Sequence, residues 1–99
     1  MKVWVQQING KPPRAQSTCY LTQDEGEAEL AGLIKMGIVS LVETEVVSVA
    51  YEAVVVYEDF ASDHMSLHSS HSAAAIEAER LLRSVEGVKD TYVVVRPIY

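Results

Sequence analysis

The chain has 99 residues, of which 48% are hydrophobic and three are prolines, so it is no disordered segment and fits a single domain, 1–99. Its net charge of −6 argues against nucleic acid as a direct partner, because phosphate binding needs a basic surface. No stretch approaches the roughly 18 consecutive apolar residues of a membrane span, so we expect no membrane partner either.

The cysteine content indicates a reducing compartment. Cys19 is the single cysteine and cannot form a disulfide within the chain. The first residues carry one lysine but no apolar run of the signal-peptide type. We therefore expect a cytoplasmic location.

The first segment, residues 1–8, alternates apolar side chains and predicts a strand. Asn9 and Gly10 follow and form a turn dipeptide, since both residues tolerate positive φ. Two prolines place 11–14 in a loop. Residues 17–21 fit either a short strand paired with the first or an extended loop, and the pattern does not separate the two.

A helix is predicted over 24–36. Thr22 and Glu25 form a capping box, and Gly37 stands where a left-handed helix end is favoured. Apolar residues recur at helical spacing, namely Leu30, Leu33, Ile34 and Ile38.

Residues 38–60 are rich in valine and too long for one ordinary strand, so we predict two. The turn between them falls at 43–45 or, alternatively, near 50–52. A polar loop is expected over 59–72, followed by a second helix over 70–86 and a last strand over 91–99. Gly87 closes the second helix.

This order of elements predicts an α+β fold of the ferredoxin-like kind, β(β)αββαβ. In that layout, two helices pack on one face of a four- to five-stranded antiparallel sheet. The layout hosts many unrelated functions and implies none of them.

The charges are distributed unevenly. Residues 1–14 contain Lys2, Lys11 and Arg14 and no acid, whereas 24–63 contain ten acids and only Lys35. Such an acidic stretch suits docking on a basic protein, although it also serves as an ordinary solvated surface. The candidate protein interface is the mixture of aromatic and acidic residues where the second long strand ends: Tyr57, Glu58, Asp59, Phe60 and Asp63.

All three histidines lie close together in sequence, at His64, His68 and His71. On a helix they would line one face and offer several imidazoles to one metal ion. The segment has poor helix propensity and lacks the His-Glu-x-x-His pattern, so a solvated loop is the favoured interpretation and we expect no metal or other cofactor.

No catalytic motif is present: the chain has no glycine-rich phosphate loop, Cys-x-x-Cys or Gly-x-Ser-x-Gly. Cys19 is interpreted as a small core residue. The sequence therefore favours a non-enzymatic acidic protein that binds or inhibits a basic macromolecule. Acidic inhibitors of nucleic-acid-handling enzymes, such as phage inhibitors and immunity proteins, are similar to it in size and charge.

The alternative is a homodimeric α/β-barrel domain that binds a small molecule or acts as an enzyme. Its interface and cavity wall would be the apolar second face of the sheet, formed by Trp4, Ile8, Val46, Val54 and Val56.

Overall fold

The computed structural model describes residues 1–11 and 17–99. Its helices and strands, in chain order, are β1 (Lys2–Ile8), β2 (Cys19–Tyr20), α1 (Gln23–Lys35), β3 (Val39–Glu45), β4 (Ser48–Tyr57), β5 (Ser62–His68), α2 (His71–Ser84) and β6 (Val88–Ile98). Residues 12–14 of the expected proline-containing loop lie outside the described residues.

The structure confirms the α+β class, with two helices packed on an antiparallel sheet. The strands are hydrogen-bonded in the order β3-β1-β2-β6-β4-β5. The predicted count of four to five strands is therefore wrong, because the described residues form six. The chain divides into two compact units, which we call unit 1 (Met1–Val49 with Arg96–Tyr99) and unit 2 (Ala50–Val95).

In unit 1, β1 lies between β3 and β2 and runs antiparallel to both. The open question about 17–21 is resolved in favour of a strand, since Cys19 and Tyr20 pair with β1. Val5 stands opposite Cys19, and both side chains are buried. One face of β1 thus supplies part of the core, as the alternation of apolar residues in its sequence predicts.

Helix α1 begins as predicted, because the Thr22 hydroxyl accepts a hydrogen bond from the Glu25 N–H at 3.2 Å. Its Gly26 faces the sheet: a Cβ at this position would stand 2.6 Å from Cδ1 of Leu41. The glycine therefore lets the helix approach β3 closely. The helix ends at Lys35, and Gly37 follows two residues later with a left-handed φ of 74°.

The break between β3 and β4 lies at Val46 and Val47, not at the predicted 43–45 or 50–52. Strand β3 continues through its two glutamates because both pair with β1, and the Glu43 carboxylate lies 3.2 Å from Nζ of Lys2. The strand ends where the Val46 N–H donates to the Met1 carbonyl instead.

In unit 2, β4 lies between β6 and β5 in the sheet order. Helix α2 begins with the Ser70 hydroxyl accepting from the Ala73 N–H at 3.1 Å, and it contributes Ala74, Ala78 and Leu81 to the core. The predicted second helix is confirmed to within two residues at either end. Gly87 follows with a left-handed φ of 86°.

The expected polar loop over 59–72 is wrong for its central part, which forms β5. This strand pairs with β4 through Asp63 opposite Val55 and His68 opposite Tyr51. It was not recognised because it is the last strand in the sheet order and is mostly exposed. A strand in that position needs few apolar side chains, so composition alone does not reveal it.

Neither helix in the described part of the chain has the length and apolar character needed to cross a membrane.

Candidate functional site

The predicted interface residues are brought together in the turn that joins β4 to β5. We call residues 57–63 the Phe60 turn. The Phe60 N–H donates to the Tyr57 carbonyl at 2.9 Å, and the Tyr57 N–H donates to the Ala61 carbonyl at 2.8 Å. This is the arrangement of a short hairpin turn that ends in a left-handed residue, a position that favours glycine.

Phe60 occupies this left-handed position with a φ of 68°, the only positive φ of a non-glycine residue in the described chain. A left-handed conformation costs an L-residue about 1–2 kcal/mol. The side chain recovers little of this by burial, because 77% of Phe60 is exposed to solvent. The turn therefore exposes a large apolar ring to solvent, and its backbone is strained at the same residue.

A cation lies on the ring. Nζ of Lys89, at the start of β6, stands 3.6 Å from the centroid of Phe60. An ammonium group at this distance is attracted by the negative face of the aromatic ring, by about 0.5–1 kcal/mol at an exposed site. One face of the Phe60 ring is therefore in contact with a cation of the same unit.

The two aspartates of the turn accept hydrogen bonds within it. Oδ1 of Asp59 accepts from the Ala61 N–H at 3.0 Å, and Oδ2 of Asp63 accepts from the Tyr57 hydroxyl at 2.9 Å. The bond to Asp63 raises the pKa of Tyr57 above its ordinary value, since it stabilises the protonated phenol. These bonds fix the positions of both carboxylates within the turn.

Glu58 ties the turn to the chain that precedes β6, because its N–H donates to the Gly87 carbonyl at 3.0 Å. Its side chain, like those of Asp59 and Asp63, is exposed. The five residues predicted from sequence thus lie on one short hairpin, which carries three exposed carboxylates and an exposed aromatic ring.

The histidines do not form the helical face on which the metal interpretation depended, because His64 and His68 lie in β5. The ladder slips at Met65, so His64 stands opposite Val54 while His68 stands opposite Tyr51. Val54 and Tyr51 are three residues apart on β4 and point to opposite faces. The slip therefore directs the two histidines to opposite faces of β4 and β5.

Each histidine has its own contact. His64 Nδ1 pairs with the carboxylate of Glu52, His68 Nε2 lies 2.7 Å from the Ser66 hydroxyl, and His71 packs edge-on against the Tyr51 ring. Within residues 1–11 and 17–99, no group of three or more His, Cys, Asp or Glu side chains is arranged to hold a metal ion.

Cys19 is buried, as expected for a core residue. Burial raises the pKa of its thiol to about 11, so the thiol is protonated near neutral pH and is a poor nucleophile.

The apolar residues assigned to the alternative dimer interface differ in their exposure. Val46 and Val54 are buried in the single chain, Trp4 and Val56 are half-buried, and Ile8 is exposed. Two of the five side chains are therefore not available to line a cavity between copies.

Sequence reasoning missed Lys89. No local pattern connects it to Phe60, because the two residues meet only when β6 is added beside β4. The left-handed φ of Phe60 was missed as well, since the residue type that marks such a position is glycine or asparagine.

Fold and turn together define a class: a small acidic α+β protein with an exposed aromatic ring and exposed carboxylates on one turn. Comparison of the chain with protein-family models, curated proteins and solved structures finds no significant match.

Proposed function

We propose that this chain is a non-enzymatic interaction protein that binds, and thereby inhibits, a basic macromolecular partner. The Phe60 turn is its docking surface, with the ring as anchor and Glu58, Asp59 and Asp63 as the charged surround. An aromatic anchor within a charged rim is the usual composition of an interface hot spot.

The observation that carries the proposal is Phe60. A glycine at φ 68° would relieve the backbone, and an exposed phenylalanine contributes almost nothing to the core. Strain of this kind persists where it serves function, because the residue that is best for binding differs from the residue that is best for stability.

The surrounding charge indicates the chemistry of the partner. Three exposed carboxylates on one turn, in a chain of net charge −6, attract a basic surface over a distance of about 10 Å at 0.1 M salt. Such attraction acts mainly on the rate of association. Enzymes that handle nucleic acids present basic surfaces of this kind, and we propose one of them, in the cytoplasm, as the partner.

A second proposal concerns the fold, which we relate to the ferredoxin-like layout. In each unit, the helix connects two strands that flank the unit's first strand, as in the split βαβ element of ferredoxin-like folds. We propose that the chain joins two such elements in tandem. This relationship supports no function by itself.

The experiment begins with capture of proteins from the host lysate on the immobilised chain. The test variant replaces the three carboxylates by amides: Glu58→Gln, Asp59→Asn and Asp63→Asn. The amide oxygens can still accept the hydrogen bonds from Ala61 and Tyr57, so the turn is retained. The control variant makes the same change of net charge on α1, with Asp24→Asn, Glu27→Gln and Glu29→Gln.

For the captured partner, we expect the turn variant to associate several-fold more slowly than the wild type. It also shows a flatter dependence on salt between about 50 and 500 mM. The α1 control keeps most of the association rate. Equal effects of the two variants would show that only the net charge of the chain matters, and not its position on the turn. Unchanged binding of the turn variant would reject this docking surface.

A further inference from the structure

The cation on the Phe60 ring suggests what the ring binds in a partner. The ammonium group of Lys89 stands over the ring centroid at 3.6 Å. It does so although three carboxylates lie on the same turn, and among the described residues Lys89 makes no ion pair within 4.0 Å. In the free chain this charge therefore rests on an aromatic face and not against a carboxylate.

The contact leaves most of the ring free. Phe60 remains 77% exposed with Lys89 in place, and Lys89 is itself an exposed side chain. A lysine side chain is long and flexible, so an incoming group can displace it without moving the backbone of β6.

We propose that an arginine side chain of the basic partner stacks on the Phe60 ring and takes the place of Lys89. This inference rests on the proposed function and names the group that the turn recognises. A guanidinium suits the site better than an ammonium, because it is planar, stacks on aromatic faces and donates in parallel to a carboxylate. Glu58 and Asp63 supply exposed carboxylates on the same turn.

Lys89 is then an internal competitor. In the free chain it occupies the binding face of the ring, and the partner's arginine must displace it. Removing the lysine charge therefore strengthens arginine binding, whereas an ordinary surface lysine would affect binding only through the net charge.

The probe is an oligo-arginine peptide, with an oligo-lysine peptide of the same length for comparison. Each is titrated into the ¹⁵N-labelled chain and followed by NMR at the amide signals of the Phe60 turn. Lys89→Met keeps an unbranched, flexible side chain that is one heavy atom shorter, and it removes the charge. Lys2→Met is the matched control, since it removes one positive charge from unit 1 at an exposed side chain.

We expect Lys89→Met to strengthen oligo-arginine binding by about five-fold, and Lys2→Met by less than about two-fold. Phe60→Leu keeps an apolar residue at the turn but removes the aromatic face, so it should weaken arginine binding and abolish the preference over oligo-lysine. Equal gains from the two lysine variants, or unchanged arginine binding with Phe60→Leu, would overturn the inference.

The amide variant of the turn separates this failure from failure of the proposed function. If Phe60→Leu has no effect while the three amide replacements still weaken peptide binding, acidic docking stands and the stacked arginine is rejected. If neither change affects peptide binding, the Phe60 turn is not a docking surface for basic chains, and both proposals fall.

Discussion

Units 1 and 2 are built to the same plan but differ in what their first turn displays. In each, the first strand lies between the other two, and a helix with a hydroxyl N-cap joins the second strand to the third. A left-handed glycine follows each helix, Gly37 in one unit and Gly87 in the other. The shared elements are those that a strand–strand–helix–strand chain needs for folding.

In each unit, a left-handed residue follows the first strand, but its type differs. After β1, the left-handed residue is Gly10, which has φ 79°. After β4, it is Phe60. Glycine adopts this conformation without steric conflict, whereas phenylalanine does so under strain. This difference in residue type at a left-handed position is the observation on which the proposed docking role of the Phe60 turn rests.

The largest effect is expected in the core of unit 2, away from its turn. Leu81 in α2 is 4% exposed, and Leu81→Ala should lower the free energy of unfolding by about 2–5 kcal/mol. Its neighbour Leu82 is 39% exposed, so Leu82→Ala is a matched control with a much smaller effect. Urea denaturation measures both, and equal losses would show that α2 is not packed through Leu81.

The turn of unit 1 provides the next test. Gly10→Ala should destabilise the chain by about 1–2 kcal/mol because of its φ alone, since no atom lies within 4 Å of the added Cβ. Gly32→Ala is the control: Gly32 lies within α1, also with open space around it, and the substitution should raise the free energy of unfolding by about 0.5–1 kcal/mol. If denaturation showed that both substitutions change the free energy of unfolding in the same direction, the role assigned to φ would be contradicted.

A smaller effect is expected in the titration of Tyr57. Asp63→Ala removes the acceptor that raises the pKa of the phenol, so this pKa should fall towards its ordinary value. Because the folded-state pKa is raised, the hydrogen bond stabilises the fold at pH values below the ordinary tyrosine pKa. This stabilisation is lost as the pH rises through the raised pKa. Ring signals of Tyr57 followed by NMR against pH measure the shift, and a pKa that did not fall would rule out the bond.

The smallest effect concerns the histidines. With His64 and His68 directed to opposite faces of unit 2, we expect a chelator to leave the melting temperature unchanged. A drop of more than about 5 °C, which corresponds to about 1 kcal/mol for a domain of this size, would restore the metal interpretation. Differential scanning calorimetry with and without chelator decides between them.

How far the sequence predicts the fold depends on whether a signal is local. Thr22 and Gly37 mark the ends of α1 through their own chemistry, and the prediction there is confirmed. Strand β5 and the break at Val46 were missed, because both depend on which strand lies alongside. Pairing of that kind is a tertiary property, which the local pattern does not contain.

The candidate site divides in the same way. The aromatic and acidic residues of the Phe60 turn were recognisable from their composition, and the hairpin does bring them together. The strain at Phe60 and the position of Lys89 were not recognisable. The strain arises because phenylalanine is an unusual residue at a left-handed φ. The position of Lys89 depends on contact with a strand that is distant in sequence.

The central claim is that Phe60 serves binding at the expense of stability, and Phe60→Gly tests both halves with one variant. Denaturation measures its free energy of unfolding, and the NMR titration measures its affinity for oligo-arginine. We predict a free energy of unfolding equal to the wild type or higher by about 1 kcal/mol, because relief of the left-handed strain outweighs the lost contact with Lys89. We also predict a several-fold loss of affinity. A variant that is clearly less stable, or one that binds the peptide as well as the wild type does, would contradict the claim.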